Sequence, residues 1–393
     1  MHARSARGCG GCRNTTSSTG ISSSRRNAAP LAAAFAGLGL WWGAWAASLP
    51  AVRRAVDVSE PRLGLILLGV SLGALPAMIV TGRILDRVGP RIVPLTAGAF
   101  AVAGALPALA RSPWALFALL LVVGAATGAF DVAINARANA IEAAADVRVM
   151  DGLHAAFSAG VVVGGISAGL ARRAGADPKE ILLVVCVVLV AVAAVNWTSA
   201  VLPAQESASA PLAGELLIVG AILALAFVLE SGVESWSALF IENELGSSPA
   251  VSGLGPGMFA AAMVTGRLLA QRTPRTPAAA RMAFAGTAAA VGLAVVALAH
   301  GPLLALAGFV VTGLGLAVSA PTLFRVAGRL GAAPAISTVA VLGYLGFVVG
   351  PPLFGAVAGA SSVRGGFVFL CAAAGVLVTT APILRRREIE YSR

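Results

Sequence analysis

Lysine is almost missing from this chain: Lys179 is the only one, and the three histidines, His2, His154 and His300, stand far apart. A phosphate-cradling GxxxxGK[ST] loop needs a lysine beside its glycines, so a nucleotide-driven pump made of this chain alone is excluded. The same scarcity leaves no HExxH helix and no Ser/His/Asp set on one membrane face, so an enzyme is not expected. Charge is scarce as well. Only 11% of the residues are charged and 58% are apolar, whereas about a quarter of a soluble domain is charged. Of the four cysteines, Cys186 and Cys371 sit in apolar runs as small hydrophobes. Cys9 and Cys12 make a lone CxxC with only His2 nearby, so no metal centre and no cofactor is expected. The net charge of +11 is scattered between apolar runs and forms no basic face, which argues against nucleic acid as a partner.

What is abundant is apolar sequence in lengths of about 20 residues, which a helix needs to cross roughly 30 Å of hydrocarbon. Such runs lie near 31–50, 63–83, 92–110, 114–136, 152–171, 181–201, 214–240, 251–270, 278–299, 302–324, 334–358 and 365–384. The expectation is an all-α membrane protein of twelve transmembrane helices, with links too short for a separate folded domain and the lipid bilayer as its solvent. It divides into a disordered tail (1–29), a six-helix bundle (30–202), a short linker (203–213), a second bundle (214–384) and a tail (385–393). Lys and Arg accumulate on cytoplasmic loops. The tails and even-numbered links hold 20 of the 28 basic residues and the odd-numbered links hold 8, which puts both termini in the cytoplasm.

The two bundles are related by an internal repeat. Val80-Thr81-Gly82-Arg83-Ile84-Leu85, followed by Pro90-Arg91, returns as Val264-Thr265-Gly266-Arg267-Leu268-Leu269, followed by Pro274-Arg275, at an offset of 184. Gly160, Gly164 and Gly169 return as Gly346, Gly350 and Gly355 at an offset of 186. Nearly equal offsets from unrelated motifs indicate a duplicated unit, and six intervening helices give both copies the same orientation.

Gly82-Arg83-Ile84-Leu85-Asp86-Arg87-Val88-Gly89-Pro90-Arg91 resembles the GxxxDRxGRR signature of the major facilitator superfamily, and the resemblance covers about residues 31 to 384. It implies two six-helix halves around a central solute cavity. A second likeness is finer. Asp131-Val132-Ala133-Ile134-Asn135, His154 through Gly160 and Gly350-Pro351-Pro352 resemble the bacterial branch that includes fucose permease and uncharacterised inner-membrane carriers. That branch implies a coupling carboxylate at Asp131. The acid that the permease also has in helix 1 has no match between Leu38 and Pro50.

Candidate residues emerge from the cost of charge in hydrocarbon, at least a few kcal/mol for an ionised carboxylate. Asp131 shares a helical stripe with Thr127 and Asn135 at i, i±4. Glu230 and Glu234 form an i, i+4 pair in helix 7, where two close acids disfavour simultaneous ionisation. His154 could carry a proton or donate to a solute, and Trp45 and Trp236 could stack on one. Each has a structural alternative: an ion pair with Arg137 for Asp131, a headgroup-level acid grouped with Glu242 and Glu244 for Glu234, interfacial anchoring for the tryptophans. Arg83, Asp86, Arg87 and Arg91 are expected to form a cytoplasmic latch, and Gly160, Gly164, Gly346 and Gly350 to let helices pack closely.

The expected function is secondary transport of a small solute by alternating access in the inner membrane, as proton symport by a monomer. Helix 5 reads Gly160-Val161-Val162-Val163-Gly164-Gly165, without the proline of the GxxxGP motif of drug antiporters, which favours uptake over efflux of amphipathic compounds. A non-transporting sensor is the third alternative.

Overall fold

The computed structural model describes residues 17–145, 149–197, 214–273 and 275–385. These are helical almost throughout, with no strand among them. Hydrocarbon offers backbone groups no hydrogen bonds, and helices satisfy theirs internally. The elements are α1 (Ser17–Val56), α2 (Glu60–Val88), α3 (Gly89–Leu109, with a short 3-10 turn at each end), α4 (Pro113–Ala145), α5 (Met150–Arg173) and α6 (Pro178–Asn196). Then come α7 (Gly214–Leu239, continued by one π turn), α8 (Leu254–Gln271, after the single turn Pro249–Ser252), α9 (Ala278–Leu298), α10 (Pro302–Leu330), α11 (Thr338–Ala360) and α12 (Val363–Thr379).

Eleven of these are long and apolar enough to cross a membrane. The remaining one, α8, is diluted by Gly255, Gly257, Thr265, Arg267 and Gln271, yet its 18 residues rise about 27 Å. The end of α10 and all of α11 lie in one helical run, Ser319–Ala360. The run is not straight: a Cβ on Gly328 would lie 3.4 Å from Ile336 Cδ1, closer than eight residues of straight helix, which rise about 12 Å, would allow. The first helix begins at Ser17, ahead of the apolar run and inside the stretch expected to be a disordered tail. Residues 1–16, with Cys9 and Cys12, the linker 203–213 and the tail from 386 lie outside the described residues.

Local signals set several boundaries. Asp177 caps α6: its carboxylate accepts from Lys179 N at 2.8 Å, Glu180 Oε2 accepts from Asp177 N at 3.1 Å, and Pro178 occupies the first turn. Glu142 accepts from the backbone N–H groups of Val149 and Met150 at 2.7 and 2.9 Å, which places negative charge at the start of α5.

Within the first half, α5 packs on α1 at backbone distance. A Cβ on Gly160 would collide with Ala36 O, one on Gly164 with Leu40 O, and one on Gly43 with Val161 O. The second half repeats the arrangement between α11 and α7, where Gly346 abuts Ala224 O and Gly350 abuts Ser231 Oγ. Gly160, Gly164, Gly346 and Gly350 therefore sit in small-residue faces at the innermost helix pairs.

The two halves meet at one face of the bundle, formed by the C-terminal ends of α1, α5, α7 and α11 and the starts of α2 and α8. Cβ atoms on Gly165 and Gly169 would lie 2.6 Å from Gly253 O and Pro249 O. Across the pseudo-twofold, a Cβ on Gly355 would lie 2.8 Å from Glu60 O, and one on Gly64 would lie 2.8 Å from Pro351 O. Gly169 and Gly355, paired by the sequence repeat, are thus paired in space as the points where each half touches the other. At the opposite face, a Cβ on Gly82, Gly89 or Gly152 would meet nothing within 4 Å.

Candidate functional site

Between the halves lies a cavity of about 310 Å³, within the range of small-molecule sites. Helices α1, α2, α4, α5, α7, α8 and α11 all contribute to its wall. Three carboxylates line it: Asp131 from α4, and Glu230 and Glu234 from successive turns of α7. The α4 acid and the α7 pair belong to different halves, and no local pattern in the sequence shows that they share one space. Tryptophan, tyrosine and phenylalanine supply much of the rest, through Trp42, Trp45, Phe157, Tyr344 and Phe347.

Asp131 is held by its own helix, since Asn135 Nδ2 donates to its Oδ1 at 3.0 Å and to its backbone oxygen at 2.9 Å. Asn135 is therefore a partner of the acid and does not reach the cavity wall. Tyr344 of α11 lies within electrostatic reach of Asp131, and Arg267 of α8 within reach of Glu230 and Glu234. Neither glutamate makes a hydrogen bond or a close ion pair to a described residue. Arg267 Nε is buried without a hydrogen-bond partner among the described residues.

The tryptophans divide. Trp45 lines the cavity, stacked on Trp41 at 5.8 Å with an interplanar angle of 8°. Trp41 is fully buried and anchored by its Nε1, which donates to Gly104 O at 2.8 Å. Trp236 points away from the cavity: it is fully buried and stacked on Phe354 at 4.7 Å. Its place two residues after Glu234 rotates it by about 200° around α7, so it belongs to the core of the second half. His154 packs edge-on against Phe35 at 5.3 Å and does not line the cavity.

Arg83, Arg87 and Arg91 are exposed and make no ion pair with a described residue; the side chain of Asp86 is not described. None of the inter-half contacts described above lies at the face they occupy. At the other face the halves are joined by a charge cluster centred on Glu242. Arg172 of α5 grips this carboxylate with two donors, Nη1 to Oε2 at 2.8 Å and Nη2 to Oε1 at 2.7 Å. Arg54 of α1 donates to Oε1 at 2.9 Å and Ser252 Oγ to Oε2 at 2.8 Å. Arg172 also donates to Ala47 O at 2.6 Å. The Arg172 and Glu242 side chains are 4% and 8% exposed, so this pair is desolvated and geometrically complete, the condition under which charge-assisted bonds are strong. Position in the sequence groups Glu242 with the loop acids and gives no sign of this role.

The Major Facilitator Superfamily profile matches residues 31–334. An uncharacterised MFS-type transporter of Yersinia pestis is 30% identical over 360 residues, covering 89% of this chain and 93% of the relative. The membrane protein MosC of Rhizobium meliloti is 30% identical over 363 residues, covering 89% and 88%. Among solved structures, a mutant form of the nucleoside transporter NupG superposes with a TM-score of 0.76 at 12% identity, covering 91% of this chain and 99% of that one. A bacterial homologue of the human lysosomal transporter Spinster, in an inward-facing and occupied conformation, gives 0.71 at 14% identity, covering 92% and 97%. At those identities the structures share the fold alone, but the family match spans most of the helical bundle: this chain is a membrane transporter belonging to the major facilitator superfamily.

Proposed function

We propose that the protein is a proton-coupled secondary carrier of the bacterial inner membrane, working as a monomer with both termini in the cytoplasm. The observation that carries this reading is a central cavity with three intramembrane carboxylates, the inter-half contacts described above being gathered at the Glu242 face. Carboxylates in that position need a partner or a proton. A site closed at one face and approached from the other is what rocking of two repeats around a fixed cavity requires. With cytoplasmic termini, the Glu242 face is periplasmic and this state is inward-facing. In this state the Arg83, Asp86, Arg87 and Arg91 group stands on the open side, where a latch between the halves would be released.

Uptake by symport is the direction favoured by helix α5, which lacks the antiporter proline. One observation supports the second reading, exchange of solute against protons: among the described residues the cavity wall has acids but no base, so a cationic solute and protons would compete for the same carboxylates. Proteoliposomes loaded with a pH-sensitive dye and offered sugars, amines, carboxylates and nucleosides in turn test the coupling. One class should drive proton movement that the pair Asp131→Asn, Glu230→Gln abolishes. Transport without proton movement, unchanged in that double variant, would exclude the coupling.

A further inference from the structure

The cavity wall restricts what it can hold, and the ligand class it admits deepens the second form of the carrier reading, exchange of solute against protons, on which it rests. We propose that the ligand is a small organic cation: an ammonium centre on an apolar or aromatic frame, its charge held by Glu230, Glu234 and Asp131 and its frame seated against Trp42, Trp45, Phe157 and Phe347.

Four observations converge on this class. The first is charge. Among the described residues no arginine, lysine or histidine lines the cavity, and the two glutamates find no hydrogen-bond donor. Arg267 acts on them from behind the wall, and one guanidinium offsets only one of three carboxylates. An anionic solute would add a like charge to this set with no fork of donors to receive it.

The second is the aromatic lining. Cations are attracted to the faces of tryptophan, tyrosine and phenylalanine, most strongly when desolvated, and five such rings share the wall with the acids. The third is the shortage of free hydroxyl groups. The hydroxyls of Thr127 and Ser231 are turned to their own helices, donating to Gly124 O at 3.1 Å and Val228 O at 3.3 Å. That leaves chiefly Ser71, Ser235 and Tyr344 as hydroxyl donors; the carboxylates can accept from a polyhydroxylated solute, but few groups remain to donate to its oxygens, whereas an ammonium centre needs acceptors alone. The fourth is size. About 310 Å³ is the lower end for ligand pockets, so the frame is at most a few rings.

Protons and the cation compete for these carboxylates, so binding weakens on acidification. The groups that set the competition are Asp131 on α4, Glu230 and Glu234 on α7, Arg267 on α8 and Tyr344 on α11. Helices α1, α2 and α5 bring no charged side chain to the wall.

The test uses the full chain, purified in detergent, and benzyltrimethylammonium as probe, because its charge is permanent and cannot be lost to a carboxylate. Radiolabelled probe in equilibrium dialysis should bind saturably, and a tenfold excess of benzyl alcohol or benzenesulfonate should not displace it. Binding should fall at least tenfold in the double variant Glu230→Gln, Glu234→Gln and on acidification. If that double variant fails to fold, Glu234→Gln alone and Trp42→Leu should each show the loss. The assignment is overturned if the neutral or anionic analogue displaces the probe equally well, or if folded variants bind it unchanged. Probe binding without its movement across a proteoliposome membrane would support the ligand class and overturn the carrier reading. A neutral solute carried with protons, with no probe binding, would do the reverse.

Discussion

Replacing Glu242 by glutamine should unlock the face at which the two halves are joined. The carboxylate takes two bonds from Arg172 and one each from Arg54 and Ser252. Glutamine keeps the shape and one acceptor oxygen but removes the charge, leaving Arg172 buried at 4% exposure without its counter-ion. Removing one member of a buried pair costs about 3–5 kcal/mol. Arg54, whose side chain is 55% exposed, adds at most about 1 kcal/mol because water screens it. Arg172 and Glu242 belong to different halves, so the loss falls only on states closed at this face. A differential loss of about 3 kcal/mol shifts the closed-to-open ratio roughly 150-fold. Spin labels at Ala55→Cys and Ser361→Cys, exposed positions on the two halves at this face, would report the populations by pulsed dipolar spectroscopy. A longer distance should gain population in Glu242→Gln. An unchanged distance distribution would show that the cluster does not hold the face shut.

Other substitutions probe the remaining links. Gly253→Val should abolish transport without preventing insertion, because the added Cβ meets Gly165 O and the face can no longer close; normal turnover would refute the close approach. Asp131→Asn should lose proton-driven accumulation while solute exchange survives at reduced affinity, held by Glu230 and Glu234, and accumulation with normal pH dependence would move the coupling role to Glu230. Impermeant labels on intact cells should reach Lys179→Cys and not Ser17→Cys; labelling of Ser17→Cys would reverse the orientation.

Much of the architecture is legible in the sequence because hydrocarbon enforces it. Long apolar runs mark the helices, α8 among them at 251–270, and the repeat of Val80–Leu85 as Val264–Leu269 gives that diluted span a second mark. The same repeat pairs Gly169 with Gly355, whose shared role in joining the halves emerges only in three dimensions. The site is half legible. Apolar context exposes Asp131, Glu230 and Glu234, since charge there is costly, but helical rotation decides which neighbours share the cavity. Trp45 and Trp236 look alike in sequence, and one faces the cavity while the other faces the core. Tyr344 is hidden in an apolar run, its only mark being the rarity of tyrosine. Glu242 is hidden because its partners Arg54 and Arg172 lie 188 and 70 residues away, and no local pattern connects them.

Alternating access requires that one cavity be reached from one face at a time. Ser71→Cys, on the cavity wall, in a background without Cys9, Cys12, Cys186 and Cys371, tests this with an impermeant maleimide applied to membranes of either orientation. Rapid reaction is expected from the face that carries the termini, little from the Glu242 face, and a gain from the Glu242 face when Glu242→Gln is added. Equal reaction from both faces in the otherwise native protein, at a temperature low enough to halt interconversion, would mean a continuous pore and would contradict alternating access.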